Sequence, residues 1–321
     1  MQENKIIVGD IGGTNSRFAE VELAAGKTLK ISRFFKFQND LFDQFKDVLS
    51  AYIRTSGTDL TTATLAVAGP VDGNTASLTN RDWLINASDI SQSSGISHIT
   101  IINDFKAMAR SAPELDTNHY TFIVNAEGDT NSPHVVGGAG TGFGLGTLIP
   151  FAKHWNVLAG EGGHQIYAPS SDLEIELLRQ LRRFHEVVTL ESVTGGKHFE
   201  TLAEAIGNIY GKNRFSISQS EAVAKALKNN PICLDICLVR ARAIMSAMGD
   251  AMLICGAKGG VWLAGGVTEL LEPFLNRQDV LPRFYERGPM SKYMEKTPIK
   301  LIKSPDAPLL GAAASVLLDQ A

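Results

Sequence analysis

The sequence predicts an α/β protein of two lobes. Strand-like and helical segments alternate along the chain, and two glycine-rich loops each interrupt a pair of strand-like runs. In both loops an apolar β-branched run stops at glycines, a small hydroxyl residue follows, and extended sequence resumes. The two segments are IIVGDIGGTNSRFAEVEL at residues 6–23 and VVGGAGTGFGLGTLI at residues 135–149. This repetition predicts an internal duplication of one strand–loop–strand unit.

The composition is that of a soluble globular protein. The chain has 321 residues, of which 44% are hydrophobic and 20% charged, so two domains can each form a core. The net charge of −4 is spread without long blocks of one sign, which indicates neither nucleic-acid nor anionic-membrane binding. No run approaches the ~18 apolar residues of a membrane span. A strand is predicted from about Lys5, which leaves no room before it for a signal peptide or a DNA-binding module.

The three cysteines indicate a reducing, cytoplasmic setting. Cys233, Cys237 and Cys255 cannot all pair with one another. Cys233 and Cys237 are four residues apart on one face of a predicted helix, and no histidine cluster accompanies them. We interpret them as small buried hydrophobic residues rather than metal ligands.

The first hundred residues predict a mixed sheet. Three early strands joined by short links, followed by a helix and a return strand, are typical of an α/β domain. Helical periodicity covers residues 41–53, and residues 88–94 form a second, short helix. The strand-like runs are residues 6–9, 18–23, 29–35, 64–68, 76–79 and 99–102.

A second sheet is predicted from Tyr120 onward, and it contains the second glycine loop. The longest helix begins at Pro231, which suits the first helical position, and runs to about Cys255. Gly256 follows where a left-handed residue is expected. The other predicted helices are residues 173–185, 196–209, 218–228, 268–275 and 309–318.

The two loops are candidate phosphate sites. Glycine permits a positive φ and close approach to the backbone, and successive N–H groups of such a turn form a concave anion site. The first loop has no GK[ST] ending, so it is not a P-loop, and it opens a strand rather than the helix of a dinucleotide fingerprint. One such loop alone is typical of a tight turn. The pair together predicts nucleotide phosphates held by both hairpin tips.

Asp10 lies inside the first loop segment and raises a question of charge. A carboxylate beside a phosphate site repels the polyanion unless a cation lies between them, and oxygen ligands with phosphates are typical of Mg²⁺. We therefore expect Asp10 to face Mg²⁺ through water. The alternative is an aspartate that bonds its own turn backbone.

Asn103 and Asp104 follow the strand-like run HITII. In open α/β sheets ligands collect at the carboxyl ends of strands, which makes this pair a catalytic candidate. The local sequence equally allows Asp104 to cap a helix over residues 105–110.

The segment LAGEGGHQIY places Glu161 and His164 around two glycines. An E-x-x-H pair on a helix can bind a metal, but Gly162 and Gly163 disfavour a helix interior. A turn that presents both side chains to a polyhydroxylated ligand fits better, because carboxylates accept from hydroxyls and imidazole both accepts and donates.

Read in order, the motifs VGDIGGTN, AGPVDG, LTNRDW, INDF, GAGTGFG, GEGGH and GGVWLAGG resemble the bacterial glucokinase family of the actin-like ATPase superfamily. The resemblance runs from about Gly9 to Gly311. The cysteine-rich zinc motif of the repressor-and-sugar-kinase branch is missing from the sequence, so the chain is similar to the zinc-free glucokinase branch.

The resemblance implies an actin-like ATPase (ribonuclease H-like) fold, with two α/β lobes and a cleft between them. It implies a small α/β domain of residues 1–112 plus 305–321 and a large α/β domain of residues 113–304. The implied activity is phosphorylation of D-glucose to glucose 6-phosphate by ATP with Mg²⁺, the entry step of glycolysis. A cytoplasmic homodimer with no nucleic-acid or membrane partner is also implied.

The resemblance also assigns the site residues. Asp104 becomes the general base. The sugar ligands are Asn103, Asp104, Glu161, His164 and Glu191. The ATP-binding residues are Gly9, Asp10, Ile11, Gly12, Gly13, Thr14, Gly140, Thr141, Gly142, Gly265 and Gly266, with Asp10 also serving Mg²⁺ through water.

One motif departs from the family pattern. A Ser-Gly-x-Gly turn commonly follows the glutamate at position 191, whereas this chain has Thr194-Gly195-Gly196-Lys197. Pro70 in the Gly69-Pro70 pair is expected to fix a turn. Asn80 is expected to order the sugar loop.

Two other classes of function share part of this pattern. An actin-like or chaperone-like ATPase has both phosphate loops but no use for GEGGH with Asn103 and Asp104. A sugar-responsive regulator without catalysis retains the sugar residues, and normally carries a DNA-binding helix pair at its N-terminus. The glucokinase assignment uses every motif.

Overall fold

The protein is described by a computed structural model, which covers residues 5–23, 29–78, 81–152 and 154–316. Asn80 and the end of the predicted C-terminal helix at residues 317–318 lie outside the described residues. The chain divides into two compact units. Unit 1 is Met1–Asp116, Phe151–Val157 and Ser304–Ala321, and unit 2 is Thr117–Pro150 and Leu158–Lys303.

The described strands are β1 (Lys5–Ile11), β2 (Asn15–Glu22), β3 (Lys30–Gln38), β4 (Thr62–Val67), β5 (Val71–Asp72), β6 (Thr75–Ser77), β7 (Leu84–Asn86), β8 (His98–Asn103), β9 (Tyr120–Val124), β10 (His134–Ala139), β11 (Phe143–Phe151), β12 (His154–Gly160), β13 (Gly260–Leu263) and β14 (Ile299–Ile302).

The described α-helices are α1 (Phe45–Ser56), α2 (Ala87–Ser94), α3 (Asp104–Ser111), α4 (Asp172–Leu181), α5 (Leu190–Thr194), α6 (Phe199–Ile209), α7 (Gln219–Ala226), α8 (Pro231–Cys255), α9 (Gly266–Leu270), α10 (Glu272–Leu275), α11 (Pro282–Tyr285), α12 (Ser291–Met294) and α13 (Ala307–Val316). None of these described helices is long and apolar enough to cross a membrane.

Unit 1 is built on a mixed sheet with strand order β3-β2-β1-β4-β8. β1 pairs antiparallel with β2 and parallel with β4, and β4 pairs parallel with β8. The mixed sheet predicted from the sequence is therefore confirmed. Its core includes Phe18, whose ring stacks on Tyr52 of α1 at 5.1 Å between centroids.

The second sheet, most of which lies in unit 2, has strand order β12-β11-β10-β13-β14-β9, and α8 of unit 2 lies in the core of that unit. Helix α8 carries buried residues around its whole circumference, which is typical of a central helix. It begins at Pro231 and ends before Gly256, whose φ is 61°, so both predicted boundaries are confirmed. Cys233 and Cys237 on this helix are free and buried, and burial raises the pKa of Cys237 to about 12.

The duplication predicted from the two glycine loops is present in the strand topology. The run β12-β11-β10-β13-β14 of the second sheet repeats the run β3-β2-β1-β4-β8 of the first sheet. In each run an antiparallel hairpin carries the glycine loop, and its first strand pairs parallel with a later strand. The two loops therefore occupy equivalent positions of two copies of one fold unit.

Several predicted helices have different boundaries in the structure, and three of them show the physical reasons. The helix predicted from residue 41 begins at Phe45, because a 3-10 turn over Asn39–Leu41 precedes it. The helix predicted to end at residue 185 ends at Leu181, after which the chain forms hydrogen-bonded turns.

The third prediction, a continuous helix over residues 268–275, is wrong. α9 and α10 are separate, and Pro273 lies in the first turn of α10. Because proline has no N–H, it cannot continue the hydrogen-bonding pattern of α9.

Helix α13 packs against α3 in unit 1, and Gly311 is the point of closest approach. A Cβ built at Gly311 would overlap the carbonyl group of Ala107 and lie 2.9 Å from the backbone nitrogen of Ser111. Glycine is therefore required here by the contact between two helix backbones. Since α3 begins at Asp104, this contact also fixes the element that carries the catalytic candidate.

Replacement of Gly311 by alanine is expected to destabilise unit 1. The added methyl group forces α13 away from α3, and overpacking of this kind typically costs ~1–3 kcal/mol. Urea unfolding measures the loss. Ser315→Ala, on the same helix, removes only a hydroxyl bonded to the Gly311 carbonyl and should change stability by less than about 0.5 kcal/mol. Equal stability of the two variants would contradict the close-approach argument.

Candidate active site

The first glycine loop is the tip of the β1–β2 hairpin, at Gly12, Gly13 and Thr14. Asn39 is fully buried and donates from Nδ2 to the carbonyl oxygens of Gly12 at 2.7 Å and Gly13 at 3.2 Å, while its backbone N–H donates to Thr14. Arg81 Nε also donates to the Gly13 carbonyl at 3.2 Å. The loop carbonyls are thus held by the protein, and Thr14 at the tip is exposed. This arrangement suits a loop that offers N–H groups to an anion.

Gly9 and Ile11 of the same motif lie inside β1 rather than at the tip. A Cβ at Gly9 would crowd Leu65 and Phe18, and the Ile11 side chain is fully buried in the core. The structure gives both residues a packing role that shapes the hairpin. The part of the motif that solvent reaches is the turn that follows them.

Asp10 points to the opposite face of β1 and pairs with Arg17. The two residues are direct cross-strand partners in the β1–β2 register. Arg17 donates from Nε to Asp10 Oδ2 at 2.8 Å, and its second terminal nitrogen donates to the same oxygen. Arg17 also donates to the Pro305 carbonyl at 2.8 Å, which ties the hairpin to the segment before α13. The ion pair was not predicted from the sequence.

The charge environment of Asp10 combines two opposing influences. Burial raises the pKa of the Asp10 carboxyl above its ordinary value, and the charge and hydrogen bond of Arg17 offset this only in part. No residue that the structure describes donates a hydrogen bond to Asp10 Oδ1, so this oxygen remains an acceptor for a metal-bound water. The residues present therefore fit a carboxylate that would face Mg²⁺ through water.

Asn103 and Asp104 lie at the edge of the sheet where the first loop lies. Ile11, Val67 and Asn103 are in register across β1, β4 and β8, so the carboxyl ends of these parallel strands meet there. Asn103 Oδ1 accepts from the backbone N–H groups of Phe105 and Lys106 and so caps α3. Asn103 Nδ2 donates to the Gly69 carbonyl at 3.1 Å.

The sequence left open whether Asp104 is a helix cap. The cap of α3 is Asn103, and Asp104 is the first residue of the helix. Asp104 Oδ1 accepts from the adjacent N–H of Phe105 at 2.8 Å. The capping role therefore belongs to the neighbour, and Asp104 is a partly buried carboxylate at the carboxyl end of a parallel strand.

The second glycine loop is the tip of the β10–β11 hairpin in unit 2. Thr141 is exposed between Gly140 and Gly142, as Thr14 is exposed in the first loop. The carbonyls of this loop are also held by backbone donors: Gly196 N–H donates to Gly140 at 2.9 Å, and Lys197 N–H donates to Thr141 at 3.0 Å. The turn at residues 194–197 (TGGK), which departs from the family pattern, is thus bonded directly to the second loop.

Glu191 lies beneath this loop, on α5, which the sequence analysis did not predict. A reciprocal capping box between Thr189 and Ser192 starts the helix. Glu191 is 7% exposed, and its Oε2 accepts from the Phe143 N–H at 2.9 Å. Its Oε1 forms an ion pair with Lys197.

The environment of Glu191 favours its ionised form. Burial alone raises the pKa of the Glu191 carboxyl. Hydrogen bonds from Lys197 and the Phe143 N–H, together with the electrostatic influence of Lys197 and His164, outweigh burial and hold the pKa below its ordinary value. An ionised carboxylate accepts hydrogen bonds only, which is the state that a hydroxyl donor requires.

Glu161 and His164 are brought to the region of Glu191 by hydrogen bonds between two chain segments. One segment follows the GEGGH turn, and the other leads into α5. Leu190 N–H donates to the Gln165 carbonyl at 2.9 Å, and Tyr167 N–H donates to the Val188 carbonyl at 3.1 Å. GEGGH itself forms a single 3-10 turn, so the predicted turn is confirmed, and both side chains are exposed.

Glycines allow these segments to close around Glu191. A Cβ at Gly142 would collide with Glu191 Oε2, one at Gly163 would lie 3.2 Å from the same oxygen, and one at Gly195 would lie 3.0 Å from Glu191 Cγ. Three glycines therefore lie against the Glu191 side chain, one each from the second glycine loop, the GEGGH turn and the TGGK turn. Absent side chains here serve packing around Glu191 as well as ligand access.

Gly265 and Gly266 follow β13 and lie beside the second loop. Gly265 has a φ of 95°, and a Cβ on it would lie 2.7 Å from the carbonyl carbon of Ala139 and 3.1 Å from the nitrogen of Gly140. Thr268 Oγ1 accepts from the Ala139 N–H at 2.7 Å and fixes the start of α9 against β10. Gly266 is exposed, with open space where a Cβ would be. The structure thus brings the predicted adenosine segment to the predicted phosphate loop.

Four supporting residues were missed by sequence reasoning. Asn39, Arg17 and Lys197 hold the loops and carboxylates described above. The fourth is Arg240 of α8, which is 1% exposed and donates to the Thr194 carbonyl at 2.8 Å and to Gln219 Oε1 at 3.0 Å. Arg240 thereby fixes the end of α5, from which the TGGK turn departs. An arginine at a core-facing position of a predominantly apolar helix was the available signal for it.

The duplicated sheets and the two hairpin loops define an α/β protein of the actin-like ATPase fold. The family model for Glucokinase matches residues 7–319. The chain therefore belongs to the Glucokinase family.

Known proteins similar to this chain agree with that assignment. A curated Glucokinase of Saccharophagus degradans is 32% identical over 310 residues, covering 96% of this chain and 97% of the relative. The crystal structure of glucokinase from an Antarctic psychrotroph is 33% identical with a TM-score of 0.88, covering 99% of this chain and all of that one. A Streptomyces griseus ROK family glucokinase, solved in complex with glucose and AMPPNP, is 18% identical with a TM-score of 0.65 over 99% of this chain and 100% of that one, and it shows the fold alone.

A double-mutant cycle tests the Asp10–Arg17 pair. Arg17→Met should destabilise the protein because it leaves a buried carboxylate without its cation, and combining it with Asp10→Asn should cost less than the sum of the single changes. Urea unfolding should give a coupling of about 1–3 kcal/mol. The exposed pair Lys225–Glu221 is the control and should couple by less than ~0.5 kcal/mol. Additive effects at Asp10 and Arg17 would show that the pair contributes nothing to folding.

Proposed function

We propose that this chain catalyses the phosphorylation of D-glucose to glucose 6-phosphate by ATP. Membership of the Glucokinase family supports the activity. The observation that carries the proposal is the combination within one chain of two equivalent glycine hairpins with carboxylates placed beside them. Hairpins alone suit any ATPase, whereas the acceptor set of Glu161, His164 and Glu191 favours a polyhydroxylated ligand.

Asp104 is proposed as the general base. Phosphoryl transfer passes through a loose transition state, so the attacking hydroxyl needs orientation more than early deprotonation. An ionised aspartate in this position accepts the hydroxyl proton as transfer proceeds. The cap that Asn103 provides for α3 fixes the backbone at Asp104, which supports a positioned base.

Glu161, His164, Glu191 and Asn103 are proposed as sugar ligands. The lowered pKa of Glu191 supports an acceptor role toward hydroxyl groups. Glu161 and His164 are exposed side chains on a rigid glycine turn beside it. For Asn103, one N–H of the amide remains after its contact with Gly69, and this is the group offered to the sugar.

The nucleotide is proposed to be bound as Mg–ATP. The N–H groups of Gly12 and Gly140 close the turns by donating to the Asn15 and Gly142 carbonyls. Those of Gly13, Thr14, Thr141 and Gly142 are proposed to bind the phosphates, with Thr14 and Thr141 also as hydroxyl donors. Gly265 and Gly266 are proposed to admit the adenosine. Asp10 would hold Mg²⁺ through water, and the ion when bound neutralises phosphate charge.

Three further features are proposed from the resemblance. The small domain would be residues 1–112 with 305–321 and the large domain residues 113–304. The protein would act in the cytoplasm at the entry of glycolysis, and it would be a homodimer. Light scattering of the purified protein tests the last point, since a mass near 34.6 kDa would show a monomer.

Release of ADP from Mg–ATP, with and without glucose, tests the proposed function. A kinase should release ADP only with sugar, and a coupled assay should detect glucose 6-phosphate in equal amount. Sugar-independent release would indicate an ATPase instead. Binding of glucose with no ADP release would indicate a regulator that has lost catalysis.

Asp104→Asn should lower kcat by roughly 10²–10⁴, the usual contribution of a positioned base. The substitution keeps the size of the side chain but removes its basicity, so glucose binding measured by calorimetry should persist. Asp10→Asn, assayed alongside, should instead raise the Mg²⁺ concentration needed for half-maximal turnover. An Asp104→Asn variant with more than about a tenth of the wild-type kcat would remove Asp104 from the mechanism.

A further inference from the structure

Lys197 stands in the turn that departs from the family pattern, and its contacts join two parts of unit 2. Its backbone N–H donates to the Thr141 carbonyl at 3.0 Å, at the tip of the second glycine loop. Its ammonium forms an ion pair with Glu191 Oε1. One residue is therefore bonded both to the proposed phosphate loop and to the proposed sugar carboxylate.

The two oxygens of Glu191 are held differently. Oε2 accepts from the Phe143 N–H, which belongs to β11 and is fixed by the sheet. Oε1 is bonded by Lys197, whose side chain is 47% exposed while that of Glu191 is 9% exposed. The carboxylate thus has one rigid donor on its buried side and one charged donor on the side that solvent reaches.

The glycines around Glu191 give the carboxylate a fixed position but no charge. Gly142, Gly163 and Gly195 approach it closely and contribute no side-chain donor. The charged groups that act on it are Lys197 and His164. Of these, Lys197 alone is hydrogen-bonded to it through a side chain among the described residues, so removal of the ammonium leaves the exposed side of the carboxylate without its direct partner.

We propose that Lys197 is a positioning residue for glucose, which holds the Glu191 carboxylate in the ionised, outward-accepting arrangement that the sugar requires. The inference rests on the proposed function. An ammonium has three donors, so the ion pair with Oε1 leaves N–H groups directed to solvent or to a sugar oxygen. A glycine at position 197 could not supply a cation for the buried carboxylate, whereas lysine does.

The structure predicts a specific kinetic effect of removing the ammonium. In Lys197→Met, KM for glucose should rise roughly ten- to a hundredfold, the loss expected for a hydrogen bond to a charged group. The value of kcat and the KM for Mg–ATP should stay within about threefold, because the backbone bond to Thr141 remains. Lys197→Arg retains a cation and should keep KM for glucose within about threefold of wild type.

The pH dependence gives a second readout that a merely structural role would not move. Lys197 lowers the pKa of Glu191, so its removal raises that pKa. The rise of KM for glucose on acidification should therefore begin at a higher pH in Lys197→Met than in wild type. His164 and His198 also interact electrostatically with Glu191. Burial, followed by the charge of Lys197, lowers the pKa of His198, so that pKa rises as well in Lys197→Met.

The matched control is Lys212→Met. It removes an exposed ammonium of unit 2 at a position distant in sequence from Glu191. It should leave all constants unchanged. If the wild-type protein phosphorylates glucose and the KM for glucose of Lys197→Met is unchanged or lower, the positioning role is wrong while the proposed function stands. A parallel loss of kcat and of both KM values would overturn it too, as a general folding defect. Absence of glucose-dependent turnover in wild type would instead overturn the proposed function.

Discussion

A buried carboxylate is stable only with a partner, and this constraint shapes both loops of the molecule. Asp10 lies in the strand that leads into the first glycine turn, and Glu191 lies beneath the second. Each would be costly to bury alone and would repel a polyphosphate. Each is paired with one cation, Arg17 or Lys197. The pairs let negative side chains remain beside loops that are suited to anions.

The duplicated topology explains why the loops and carboxylates lie where they do. Parallel strands in register bring their carboxyl ends to one edge, so the first loop and Asp104 share an edge in unit 1. In unit 2 the same arrangement brings Gly265 against the second loop. The fold supplies the edges, and glycines supply the close approach. The GEGGH turn and α5, which we propose to bind the sugar, follow the second hairpin, and the described residues after the first hairpin contain no such pair.

Much of this architecture could be predicted from the sequence, and the exceptions have physical reasons. The two hairpins and the helix from Pro231 carry local signals, namely glycine clusters and a proline–glycine pair of boundaries. The role of Asn39 and the Asp10–Arg17 pair depend on strand register and tertiary packing, which no local pattern encodes. Lys197 appeared in the sequence only as a departure from a glycine turn. Its ion pair became visible once α5 and the turn were placed in space.

The central claim is that Glu191 is an ionised acceptor for the sugar, and calorimetric titration of glucose into Glu191→Gln tests it most directly. The amide keeps the size of the side chain, but its NH₂ group must face either Lys197 or the Phe143 N–H, so one donor is left unpaired. The account predicts glucose affinity reduced at least about tenfold, with binding of a non-hydrolysable ATP analogue retained. Glucose affinity equal to that of the wild type would contradict the account.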